Sequence, residues 1–136
     1  MREILFRGKR KDNGQWIYGY LIKGKNYLTE EPVTAIVELD ATFFPRSEIA
    51  GYEEVIPETV GQWTGLVDCH GVKIFEGDIH GIPRWVVTYC GNVNEGYGMN
   101  AGWYVQRDNF ECWVELENTE ENNIIGNIHD NPELLT

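Results

Sequence analysis

Residues 57–79 read PETVGQWTGLVDCHGVKIFEGDI, and this stretch decides the fold. It predicts an entry strand, a corner pivoting on the glycine of Gln62-Trp63-Thr64-Gly65, a hairpin turn, and a second strand closed by Glu76-Gly77-Asp78. Asp68-Cys69-His70-Gly71 puts Asp at the start of the turn and Gly at its end, the chemistry of a type I turn with a glycine bulge. Val72 and Ile74 alternate beyond it, and Phe75, Gly77 and Ile79 carry the chain on.

The same β signal extends in both directions. Residues 3–7 and 16–23 are extended runs around a polar loop with Asp12-Asn13-Gly14, and Asn-Gly supplies the positive-φ positions of a hairpin turn. Trp16, Tyr18, Tyr20 and Ile22 fall on one strand face, Ile17 and Leu21 on the other. Residues 33–39 alternate after Pro32, whereas residues 47–55 suit a helical turn or an extended segment equally. Trp85, Val87 and Tyr89 share a face in residues 84–90, residues 91–102 form a glycine- and asparagine-rich loop, and residues 103–107 are extended. Residues 110–117 alternate most clearly: Phe110, Cys112, Val114 and Leu116 face the core, and Trp113 lies on the side of Glu111, Glu115 and Glu117. A last strand spans residues 123–128. Asn131-Pro132-Glu133 then starts a very short C-terminal helical turn, with Asn131 as its cap. Many short strands joined by glycine-bearing turns predict a mainly β barrel or roll with an added N-terminal β-hairpin. One domain is expected over residues 1–136, its hairpin region covering about 1–56 and its barrel-like core about 57–136.

Composition narrows the function classes. The chain has 136 residues, 42% of them hydrophobic and 12% aromatic, enough for a core and against disorder. The net charge of −11 is polarised: Arg2, Arg7, Lys9, Arg10, Lys11, Lys23 and Lys25 crowd the first 25 residues, and no Lys or Arg follows Arg107. Such an acidic chain is a poor general binder of DNA or of anionic membrane. No window reaches the roughly 18 apolar residues of a membrane span, and the start has no apolar leader core. Three scattered cysteines, Cys69, Cys90 and Cys112, fit reduced thiols and a cytoplasmic location.

No constellation assembles a reaction centre. Cys69, His70, His80, Cys90, Cys112 and His129 include no pair spaced to supply two metal ligands from one turn. Ser47, the single serine, lacks a nucleophile elbow. Glu76 and Asp78 would share a strand face, but acids flanking Gly77 serve turn amides first. Gly96-Tyr97-Gly98-Met99-Asn100-Ala101 has dinucleotide-loop spacing yet leads into a strand rather than a helix. No catalytic residue, metal or cofactor is therefore expected. Binding is the remaining class: Arg7, Lys9, Arg10 and Lys11 beside Trp16 form a basic, stacking hairpin, and Tyr97 and Trp113 are aromatics for an interface.

Four segments together resemble the YopX family of phage and prophage proteins. They are residues 1–9 (MREILFRGK) with 14–19 (GQWIYG), 58–66 (ETVGQWTGL), 71–79 (GVKIFEGDI) and 125–134 (IGNIHDNPEL). The resemblance implies an SH3-like barrel and brings no catalytic residues with it. The expectation is a non-catalytic accessory protein that binds an unknown host or phage protein, with self-association plausible through the acidic and basic strands. Two rivals stand beside it: nucleic-acid binding through the basic hairpin, with Trp16, Tyr18 and Tyr20 available for stacking, and an acidic nucleic-acid mimic acting on a host protein.

Overall fold

In the computed structural model, residues 3–43, 49–81, 85–90, 102–106, 113–116 and 122–135 are described, with backbone only at 43, 49, 50, 90 and 113. The chain divides into two compact units, Met1–Trp63 and Thr64–Thr136. The N-terminal unit has a core of its own, and the division falls inside the 57–79 stretch.

The first unit is an antiparallel sheet in the order β4-β3-β2-β1-β5. Its strands are β1 (Phe6–Lys9), β2 (Trp16–Lys25), β3 (Pro32–Phe43), β4 (Ile49–Glu54) and the start of β5 (Gly61–Val67). The β1–β2 hairpin forms as its turn chemistry predicts: Gly14 adopts φ +71°, its N–H reaches the Arg10 carbonyl at 2.9 Å, and Asn13 Oδ1 accepts from the Gln15 N–H. The ambiguous 47–55 segment resolves as a strand from residue 49. Ile17 and Leu21 of β2 point to the core, where Ile17, Ile36 and Val55 pack with Phe6, Leu21 and Val60 around them.

Between the strands of β5 and β6 (Lys73–Phe75) lies the predicted turn, the first feature of the second unit. Gly71 takes φ +80°, and the Asp68 N–H meets the Val72 carbonyl at 2.8 Å. The unit's other strands, β7 (Asp78–His80), β8 (Trp85–Cys90), β9 (Gly102–Gln106), β10 (Trp113–Glu115) and β11 (Ile124–Asn127), form an antiparallel sheet ordered β10-β9-β8-β7-β11. Its core is Ile74, Val87, Val105 and Leu116, flanked by Leu66, Trp85, Trp103 and Ile124.

Several expectations change. The fold is mainly β with two antiparallel sheets, but neither sheet closes on itself among the described residues. Alternation sets which face of a strand is buried; closure depends on tilt and shear, which alternation does not encode. Residues 57–59 form a 3₁₀ turn rather than a strand, begun by Pro57 and tied by Thr59 Oγ1 to the Ile56 carbonyl at 2.6 Å. Glu76 and Asp78 do not share a strand face, because a tight turn with Gly77 at φ +90° separates β6 from β7. In β10, Val114 is exposed while Leu116, just past the strand, is buried and bonds the Trp103 carbonyl. The helical turn is a 3₁₀ segment at Pro132–Leu135, and Asn131 Oδ1 accepts from Asn127 N–H at 3.2 Å, upstream of that turn.

Candidate functional site

The strand register of the first unit assembles a surface that single strands do not show. Directly opposed residues of an antiparallel pair share a face. Arg7 opposes Tyr18 and Lys9 opposes Trp16 across β1–β2. Tyr20 opposes Val37 and Ile22 opposes Ala35 across β2–β3, and Val37 opposes Tyr52 across β3–β4. The face away from the core therefore carries Trp16, Tyr18, Tyr20, Ile22 and Tyr52, with small buried Ala35 and Val37 between them. Tyr18, Tyr20, Ile22 and Tyr52 are 46, 47, 43 and 55% exposed. Scattered apolar side chains are ordinary on a soluble surface; a contiguous group across three strands is not.

At one end this face opens into a cleft of about 490 Å³, lined by Arg10, Gln15, Trp16, Ile17, Tyr18, Glu38, Leu39 and Asp40. Two glycines shape it. The β2–β3 ladder runs from Lys25↔Pro32 to Gly19↔Glu38, and a Cβ on Gly19 would collide with the Val37 carbonyl, so only glycine permits this approach. Beyond it, the β3–β4 register shifts between Val37 and Thr42. Opposite the shift Gly51 has φ +95°, and its Cβ would lie 3.2 Å from Ala41 Cα. A register irregularity of this kind bends its strand and raises the local twist, and Glu38, Leu39 and Asp40, which lie within it, line the cleft.

The basic cluster of the sequence reading is placed differently from a solvated loop. Arg7 is 6% exposed in β1, its guanidinium 4.6 Å from the Trp16 ring centroid, and Lys9 Nζ lies 5.5 Å from the same ring. Trp16 thus already holds two cations against its π-system. Arg10 grips Asp12 with two hydrogen bonds, Nε to Oδ1 at 2.9 Å and Nη2 to Oδ2 at 2.7 Å, and Nη2 also meets Glu53 at 3.4 Å. The hydrogen bond from Arg10 holds the Asp12 carboxyl below its ordinary range despite some desolvation. Lys11 pairs with Glu54 at 3.0 Å. Backbone is committed as well: the Ile56 N–H bonds the Lys9 carbonyl, the Lys11 N–H the Glu54 carbonyl, and the Lys9 N–H reaches Thr59 Oγ1 at 2.9 Å. Tyr97 lies outside the described residues. Trp113 pairs with Gln106 through its backbone, and its side chain is also outside them.

The acids and thiol of the second unit serve its turns. Asp68 is 7% exposed; its Oδ1 accepts from the His70 and Val72 N–H groups at 2.8 and 3.0 Å, and Oδ2 faces the Ile124 N–H at 3.5 Å. Burial pushes its pKa up, but those amides outweigh it and hold the carboxyl below its ordinary value. Asp78, 3% exposed, accepts the buried Phe75 N–H at 2.8 Å. Glu76 is driven upward by burial. Cys69 Sγ sits 3.3 Å from His70 Nδ1, and the same nitrogen, not the opposite one, is the atom near Asp68, at 3.9 Å. A nucleophile–base–carboxylate relay uses the two ring nitrogens separately; this turn does not.

Ile22, Leu39, Tyr52, Glu38 and Asp40 were not among the sequence-picked site residues, whereas Trp16, Tyr18 and Tyr20 were named there for stacking. For β2 the signal was the even-numbered alternation itself. For β3 and β4 it lay in register, which one sequence does not state.

The family described as YopX protein matches residues 5–136. No curated protein matches the chain. A solved structure, that of protein EF1440 from Enterococcus faecalis, is similar at 23% identity and a TM-score of 0.50, covering 100% of both chains. At that identity the likeness is one of fold.

Proposed function

The chain belongs to the YopX family, and from that premise we propose that it is a phage- or prophage-encoded accessory protein acting as a non-catalytic protein-binding module. The observation that carries this reading is the exposed group Tyr18, Tyr20, Ile22 and Tyr52 beside the Trp16–Leu39 cleft. Tyrosines supply large contact area with few rotatable bonds, and the hydroxyls keep such a face soluble when unoccupied. Supporting the non-catalytic part, Asp68 and Asp78 are spent on backbone amides. Nucleic acid is the weaker occupant for this unit: Arg10 and Lys11 are neutralised by Asp12, Glu53 and Glu54, and Arg7 is buried.

Affinity capture from nuclease-treated phage-infected lysate tests the proposal. The wild-type chain is expected to retain a protein that a Tyr18→Ser, Tyr20→Ser, Tyr52→Ser variant of equal stability loses. Capture unaffected by those substitutions would sink it. So would a salt-sensitive DNA or RNA affinity that disappears when Lys9 and Lys11 are neutralised.

A further inference from the structure

The ribbon that carries the cleft at its base also carries an apolar tip. Tyr27 and Leu28 are 93 and 84% exposed, the highest values among the large hydrophobics of the described residues. The turn that holds them is tightly bonded. Asn26 Oδ1 accepts from the Leu28 and Thr29 N–H groups at 2.8 and 3.1 Å, and Thr29 Oγ1 accepts from Glu31 at 3.3 Å. The Asn26 N–H donates to the Glu31 carbonyl and the Glu30 N–H to the Asn26 carbonyl. Glu30 stands at φ +60°, a conformation side-chain-bearing residues rarely adopt. A turn fixed in this way presents two apolar side chains from an already ordered backbone, which lowers the backbone part of the entropy cost of docking them.

Resting on the reading of the cleft as a binding surface, we propose that its occupant in the free protein is the Tyr27–Leu28 tip of a second copy. Charge and shape favour this partner. The cleft combines the apolar Trp16, Tyr18 and Leu39 with the carboxylates of Glu38 and Asp40. Lys23 and Lys25 lead into the tip along one face of β2, both exposed and neither in an ion pair among the described residues. Glu30 and Glu31 lie on the other arm of the turn, so the basic side of the tip is the β2 side. The tip cannot fill its own cleft. The ladder from Gly19↔Glu38 to Lys25↔Pro32, rising about 3.4 Å per residue, separates them by roughly 20 Å of paired strand. Two copies related by a two-fold axis can exchange tips, and the contact closes on itself as a dimer.

Sedimentation equilibrium of the purified chain alone tests this. The mass should rise with concentration from 15.7 kDa toward twice that value. Tyr27→Ser with Leu28→Ser should weaken association by about tenfold or more, as loss of a buried anchor does, while leaving unchanged the melting temperature measured at concentrations where the chain is monomeric. Asp40→Lys should weaken it as well, and adding Lys25→Asp should restore much of the loss, which a merely structural effect would not do. A 15.7 kDa species at every concentration would overturn the proposal, and so would association indifferent to the tip or to Asp40→Lys. A monomer whose tip variant instead loses a captured lysate protein also overturns self-docking, while the binding-module reading survives. A dimer that captures nothing has the reverse meaning.

Discussion

The two units differ in what their most conspicuous polar and aromatic side chains do. In Thr64–Thr136 the polar groups turn inward: Asp68 and Asp78 are buried and bonded to backbone amides of their own turns. In Met1–Trp63 the large side chains turn outward, with Tyr18, Tyr20, Ile22 and Tyr52 about half exposed on a sheet whose other face already has a core. A carboxylate taken out of water is costly unless donors replace the water it loses. The second unit's acids are therefore best explained by architecture. An apolar group left in water gains nothing for folding, so the first unit's outward face is where a binding role is to be sought.

The largest expected effect tests whether that outward face depends on the close approach of β2 and β3. Gly19→Ala drives a Cβ into the Val37 carbonyl, and relief requires the ladder to part. We expect a loss of about 4 kcal/mol or more, read as the urea midpoint, with exchange protection falling along residues 19–25 and 32–38. Gly24→Ala is the control. Its Cβ meets nothing within 4 Å, and the expected change is within about 0.5 kcal/mol. Equal effects at the two glycines would mean that Gly19 is not a close-approach residue.

A smaller effect is expected in the second unit, and it has a pH signature. The Asp68 carboxyl is held below its ordinary value by the amides of Val72, His70 and Ile124 against the opposing push of burial. A group whose pKa is lower folded than unfolded stabilises above the unfolded pKa, about 3.9 for Asp. That contribution is lost as pH falls through the folded value. Asp68→Asn keeps one acceptor and loses the charge, so it should cost about 1 to 2 kcal/mol at neutral pH. The gap between variant and wild type should narrow as the solution is acidified below about pH 4. Parallel stability curves across that range would show that the carboxylate charge is not what holds the turn.

These contrasts also mark what the sequence could and could not convey. The 68–71 turn and the Asn13-Gly14 hairpin were legible because their chemistry is local: a side-chain acceptor two to four residues from its donor, and a glycine where φ is positive. The β2 alternation was legible for the same reason. The burial of Arg7 was not legible, because it does not follow from its neighbours in sequence. Pairing with Tyr18 instead sets it across the sheet, beside Trp16. Glu38 reaches the cleft through its pairing with Gly19, and Asp40 lies where the β3–β4 register shifts opposite Gly51, arrangements between strands with no signature in any one of them. Closure of a barrel is further still from local chemistry, and there the open sheets depart from the expectation.

The smallest effect on stability is the sharpest test of the comparison itself. Tyr18→Ser with Tyr20→Ser removes two rings that are roughly half in water, from a face that lies opposite the Ile17–Ile36–Val55 core. If the rings serve binding, the loss of stability should not exceed their half-burial, about 1 kcal/mol per ring, while capture of a partner protein is lost outright. If they serve folding, the order inverts: the loss of stability exceeds that bound and any captured partner is retained in proportion to the folded fraction. The two units would then differ in composition but not in purpose, and the outward face would be a structural layer rather than a site.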